Sequence, residues 1–156
     1  MKSPFWLLTL TLPFYVLDQL TKELVLRFIA EDEIVPVIPG VFYLIRTYNT
    51  GAAFSMGQNN NWFFLILAAA VFVVLLALWF RGKFERPLTR VAIALLLAGI
   101  AGNLTDRIRH GHVIDFLDVV LPWYGHWPAF NVADSCICVA AGLLFIGALK
   151  EPKRSR

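Results

Sequence analysis

A chain of 156 residues, 58% hydrophobic and only 16% charged, lies far from a soluble domain, where about a quarter of the side chains carry charge. It has room for roughly four spans of ~20 residues joined by short loops, and no soluble domain, repeat or low-complexity tract interrupts it. The net charge of +3 would suit a nucleic-acid partner, but the charges are segregated by loop, which reads as membrane topology instead.

The first residues carry Lys2 and then an apolar run from Phe5 to Leu17, interrupted by Pro13. Such a run can pass for a cleavable signal peptide. No small-x-small cleavage site follows, and the pattern continues through Leu17-Asp18-Gln19-Leu20-Thr21-Lys22, so a retained first helix is predicted. Asp18 and Lys22 are four apart on one helical face, where the plainest reading is a surface ion pair.

From Glu31 to Asn61 the pattern changes. Ile34–Ile38 and Val41–Ile45 are short β-branched and aromatic runs joined by Pro39-Gly40, predicting strands of a small sheet outside the membrane. Asn49-Thr50-Gly51-Ala52-Ala53-Phe54-Ser55 follows, and small residues such as Gly51 let backbone approach a ligand closely. An ordinary loop would look similar. Gln58-Asn59-Asn60-Asn61 supplies a candidate N-cap for the next helix.

Trp62 to Phe80 is free of charge and long enough, at about 28 Å, to cross a bilayer. Arg81-Gly82-Lys83-Phe84-Glu85-Arg86-Pro87 ends it. A third span is predicted from about Leu88 to Leu104, with Gly99 and Gly102 offering flat surface for helix packing. A fourth runs from about Asn131 to Leu149. Inside it Cys136 and Cys138 read as buried thiols, since two positions apart they make a poor disulfide. The tail from Lys150 to Arg156 is basic.

Lys2, the 81–90 loop and the tail hold nine of the fourteen Lys and Arg, while the two other loops hold nine of the eleven acids. The positive-inside rule then places both termini in the cytoplasm and the 105–131 segment on the outer side.

That outer segment concentrates the chemistry. Asn103, Asp106 and Arg107 fall on one face at the end of the third span. Arg107 can pair with Asp106, as a simple helix-end ion pair, or bind a substrate carbonyl or phosphate. Asp115 lies in the apolar run Gly111-His112-Val113-Ile114-Asp115-Phe116, and Asp134 stands at the mouth of the last span behind Phe130-Asn131-Val132-Ala133. Ionisable groups at membrane depth are expensive and read by default as functional. Two carboxylates meeting at one membrane edge can share a proton and activate water. Asp134 also reads as a helix N-cap, although a cap alone does not call for a second carboxylate. Spacing cannot rank Asp115 above Asp118, three residues on. Leu121–Pro128 is an aromatic stretch suited to an interfacial anchor or flap.

Over nearly its whole length the sequence resembles the lipoprotein signal peptidases (signal peptidase II). The matching motifs, in the family's order, are Asp18-x-x-x-Lys22, the run from Arg46 to Ser55, Gly102-Asn103-Leu104-Thr105-Asp106-Arg107, Gly111–Phe116 and Phe130–Asp134. The resemblance implies a membrane aspartyl endopeptidase of the bacterial inner membrane, residues 1–156 forming one domain. Its fold would be four transmembrane helices, a small antiparallel β-sheet outside the membrane and an interfacial flap or short helix. Asp115 and Asp134 would be the catalytic pair, the motif selecting Asp115 and leaving Asp118 as a solvated or capping acid. Asn49, Gly51, Asn103, Arg107 and Asn131 would line the substrate site, supported by Asp18, Lys22 and Asp106. The substrate would be a diacylglyceryl prolipoprotein cut before the lipidated cysteine, with membrane lipid as the other partner, no metal or cofactor, and a monomeric enzyme.

Two other classes compete. His110, His112, Asp115, Asp118 and His126 form a conceivable metal-ligand set for a binding or transport protein, although no His-Glu-x-x-His is present. A non-catalytic assembly or lipid-binding protein would tolerate isosteric changes at both aspartates. Neither a Gly-x-Ser-x-Gly turn nor a Gly-x-Gly-Asp motif occurs.

Overall fold

A computed structural model describes residues 5–31, 33–51 and 60–150. A π-helical segment at Leu7–Thr11 leads directly into helix α1 (Leu12–Phe28), and Pro13, which has no N–H to give the preceding turn, sits just after this wider turn. Strands β1 (Ile34–Ile38) and β2 (Phe42–Asn49) follow, then α2 (Asn61–Phe80) and α3 (Pro87–His110). The chain closes with β3 (Val113–Leu121), the two-residue β4 (Gly125–His126) and α4 (Val132–Leu149).

The predicted strands and helices thus form, with ends shifted by a few residues. The third span is the exception, running on to His110 until Gly111 ends it in a left-handed C-cap, φ 78°. The candidate cap of α2 does not operate: Asn60 occupies the N-cap position without a side-chain hydrogen bond. Lys2, the 52–59 portion of the Asn49–Ser55 and Gln58–Asn61 readings, and the tail beyond Lys150 lie outside the described residues.

Three helices, α2, α3 and α4, are long and apolar enough to cross a membrane. Helix α1 is shorter, with four charged residues among its 17. Helix α2 buries none of its residues, and its outward Trp62, Phe63, Ile66 and Val73 suit a lipid environment. Helix α3 is the centre, packed against α4, α1 and α2. Its buried face is built of Ala92, Ala94, Leu97, Ala98, Gly99 and Gly102. Without a hydrophobic drive between helices in lipid, such small residues gain attraction by letting backbones approach. A Cβ on Gly99 would meet the Ala133 carbonyl of α4 and lie 2.7 Å from Ile137.

The sheet is antiparallel, in the order β1-β2-β3-β4. Gly40, at φ 79°, turns the β1–β2 hairpin. In β2 three steps from Leu44 to Thr47 match only two steps of β3, Leu117 to Asp115. This bulge shifts the side-chain alternation of β2 by one, so Asn49 comes to share a sheet face with Asp115. The aromatic Leu121–Pro128 stretch is the tip of the β3–β4 hairpin, where Trp123 and Tyr124 are exposed.

Candidate active site

Asp115 lies mid-strand in β3, between Ile114 and Phe116, and is 3% exposed. Beside it, the N–H groups of Phe116 and Leu117 both donate to the Phe130 carbonyl, at 3.0 and 2.8 Å. That bridge holds the chain just before α4 against β3 and brings the helix N-terminus to Asp115. Asn131, fully buried, is the N-cap. Its Oδ1 accepts from the Asp134 N–H at 2.8 Å, while Asp134 Oδ2 accepts from the Asn131 N–H at 3.2 Å. Asp134 is therefore the N3 partner in a reciprocal capping box, the third residue of α4, rather than the N-cap.

The two carboxylates are joined through two amides. Asn131 Nδ2 donates to Asp115 Oδ1 at 2.7 Å and to Asn103 Oδ1 at 3.2 Å. Asn103 Nδ2 donates to Asp134 Oδ1 at 2.7 Å. From β2, Asn49 Nδ2 reaches Asp115 Oδ2 at 3.1 Å, the contact that the bulge makes possible. Every donor is an N–H, which favours charge on the pair. Burial opposes this most strongly, aided by the charge of Asp134, and the Asp115 pKa is raised to about 7 despite Asn49, Asn131 and the Lys22 charge.

Asp18 and Lys22 do not form a surface bridge. Both are buried, at 1% and 2% exposure, because α1 turns this face into α3 and α4. Lys22 Nζ contacts Asp18 Oδ2 at 2.9 Å, Asp106 Oδ2 at 2.7 Å and Asn103 Oδ1 at 3.1 Å. Asp18 Oδ1 accepts from the Ala133 N–H in the first turn of α4, and Asp106 Oδ2 accepts from the Ile114 N–H beside Asp115. The buried ions thus tie α1, α3, β3 and α4 together beneath the carboxylate pair. The sequence reading passes over Gln19, yet its amide joins Asp18, the Gly102 carbonyl and Asp106. The available signal is a polar side chain beside Asp18 in an apolar helix.

Arg107 does not pair with Asp106, whose oxygens go to Lys22, Gln19 and Ile114. Its guanidinium donates to the Gly51 carbonyl at 2.7 Å and the Asn103 carbonyl at 3.4 Å, and lies over the Phe64 ring. Gly51 is thereby held at the site, with its own N–H on Asn49 Oδ1.

Asp118 is not solvated. It is 4% exposed and bonds His126 Nδ1 at 2.7 Å. Three positions from Asp115, it faces the opposite side of β3. The conceivable metal set is likewise dispersed: His126 is with Asp118, Asp115 is in the amide network, and His110 and His112 stack near Tyr48.

Residues 10–150 match the family model described as signal peptidase (SPase) II. The chain is 46% identical over 139 residues to the lipoprotein signal peptidase of Syntrophotalea carbinolica, covering 86% of this chain and 84% of that protein. It is 48% identical over 145 residues to that of Ralstonia nicotianae, covering 89% and 81%. A solved structure described as a bacterial membrane enzyme superposes with TM-score 0.85 at 28% identity, over 96% of this chain and 94% of that one.

Proposed function

The chain belongs to the signal peptidase II family, and we propose that it removes signal peptides from prolipoproteins with Asp115 and Asp134 as its acid–base pair. The observation that carries this reading is the amide frame of Asn103 and Asn131, which presents carboxylates from β3 and α4 to one place. Together with the family and the three apolar helices, it supports a membrane aspartic endopeptidase of the bacterial inner membrane.

One proton serves the pair, because two charges cannot both persist in so poorly solvated a site. The ionised carboxylate takes a proton from water as its oxygen attacks the scissile carbonyl. The protonated carboxylate hydrogen-bonds the developing oxyanion. As the tetrahedral intermediate collapses, the C–N bond breaks and the proton taken from water passes to the leaving amine.

In this reading α1 with the π-helical segment before it is a fourth span, and residues 1–156 act as one domain. Both termini are cytoplasmic, following the basic loops, and the carboxylates open to the outer face. The substrate peptide crosses the sheet while the diacylglyceryl chains stay in lipid, and the enzyme works as a monomer. The test is cleavage of a diacylglyceryl prolipoprotein by the purified protein in bicelles. Processing that stops with Asp115→Asn and survives EDTA supports the carboxylate pair. Loss on chelation with recovery on zinc would return the histidine set to consideration.

A further inference from the structure

Lys22 makes three contacts, and their geometry goes beyond charge balance. An ammonium has three N–H groups and no acceptor. Two are used by Asp18 and Asp106, and the third goes to a neutral amide oxygen, Asn103 Oδ1 at 3.1 Å. At 2% exposure Lys22 is saturated and sealed from substrate.

We propose that Lys22 is a positioning residue that fixes the direction of the amide donors facing both carboxylates. With Oδ1 of Asn103 held by Lys22, its Nδ2 must face Asp134 Oδ1, as it does at 2.7 Å. The same Oδ1 also receives Asn131 Nδ2, which continues to Asp115 Oδ1. Turning Asn103 over would set its NH2 against the ammonium and against the Asn131 NH2. Its oxygen would then face the Asp134 carboxylate, so three contacts would become repulsive together. A purely structural ion pair needs only Asp18 and Asp106, and the bond to Asn103 is what connects it to the chemistry. This inference rests on Asp115 and Asp134 being the acid–base pair. Other charges around the pair are Asp18 and Asp106 behind Lys22, and Arg107, whose field reaches both carboxylates.

Lys22→Met alone strands two buried carboxylates and invites misfolding. The informative variant joins Lys22→Met to Asp18→Asn and Asp106→Asn. It leaves no unpaired charge, while the amide oxygen introduced by Asp18→Asn still accepts from the Ala133 N–H. With a diacylglyceryl peptide in bicelles, kcat should fall on the order of 10²-fold, with KM changed less than about threefold. The alkaline limb of the pH profile should move upward, because amides no longer aimed at the carboxylates stop favouring ionised Asp115, whereas neutralising one cation and two anions would by itself move it downward. Lys22→Arg should recover part of kcat, since it restores the charge and an N–H toward Asn103. A triple variant with native kcat and pH profile would overturn the proposal.

If that variant does not accumulate, the native enzyme decides. Gly102-Asn103 is the single Gly-Asn pair in the sequence, so 13C-carbonyl Gly with uniformly 13C,15N-labelled Asn picks out the Asn103 backbone nitrogen, and correlation through the Asn carbons then assigns its side-chain nitrogen. Its side-chain nitrogen should shift as the carboxylates titrate and exchange slowly. A nitrogen indifferent to that titration would mean the amide points elsewhere. An enzyme that cleaves nothing yet shows the shift would refute the peptidase reading and leave the positioning intact.

Discussion

Asn131 and Asp134 cap one another across the first turn of α4, at 2.8 and 3.2 Å, and the same two side chains carry the bonds of the candidate site. Capping draws Asp134 into a fixed rotamer with one oxygen on the backbone and the other on Asn103. A helix terminus thereby serves as the rigid mount of a reactive group.

Asp115→Asn and Asp134→Asn keep side-chain shape but remove proton exchange, so each alone should nearly abolish processing. Together they should be no worse than either, because one acid–base unit is lost once. Asp134→Asn should also cost about 1 kcal/mol through the weakened capping box. Single-turnover cleavage and membrane abundance, measured on all three variants, check this, and a compounding double variant would argue for separate roles.

Asp118→Asn should preserve processing within a few-fold, because Asp118 faces away from Asp115 and holds the β3–β4 hairpin through His126. Its effect should appear as a lower Tm, corresponding to about 1 kcal/mol for the lost charge-assisted bond. An inactive but normally stable Asp118→Asn enzyme would assign the chemistry to the wrong carboxylate.

With the Asp115 pKa raised to about 7, the second proton leaves the pair near neutrality, and kcat/KM should fall on the alkaline side. Asn49 donates to the ionised form of Asp115. Asn49→Ala should therefore raise that pKa and move the alkaline limb to higher pH. The same raised value makes the fold less stable as pH climbs from the usual carboxylate range toward 7, since the native state retains a proton that the unfolded chain releases. A pH–rate series on both proteins tests the direction, and an unmoved limb in Asn49→Ala would break the link to Asp115.

Lipid on the substrate should dominate its capture. Each buried methylene is worth ~0.8 kcal/mol, so two long acyl chains hold the peptide at the bilayer far better than its polar contacts. Unlipidated precursor should be cut much more slowly in a side-by-side assay. Equal rates would remove the lipid from recognition.

Gly102 packs against the Asp18 carboxylate and lies 3.0 Å, at its would-be Cβ, from the Ala133 methyl. Gly102→Ala should displace Asp18 from the Ala133 N–H and from Lys22, lowering abundance and activity together. Gly142, with open space around it, is the control, and Gly142→Ala should behave as wild type. The pair is compared by membrane yield and Tm.

The composition and order of apolar runs determined α2, α3, α4 and both long strands of the first hairpin, because span length and strand alternation are local properties. The motifs pointed to Asp115, Asp134 and the asparagines around them. Sequence spacing did not determine that Asp18 and Lys22 are buried, since an i,i+4 pair reads alike on a wet or a packed face. Packing α1 against Gly102 and Ala133 decided that. Arg107 turning from Asp106 to Gly51, and Asp118 closing on His126, were decided the same way, by which partner the assembled chain brings within reach. The bulge in β2 decided most narrowly: one extra residue sets Asn49 on the face of Asp115, a parity that exists only once two strands are paired.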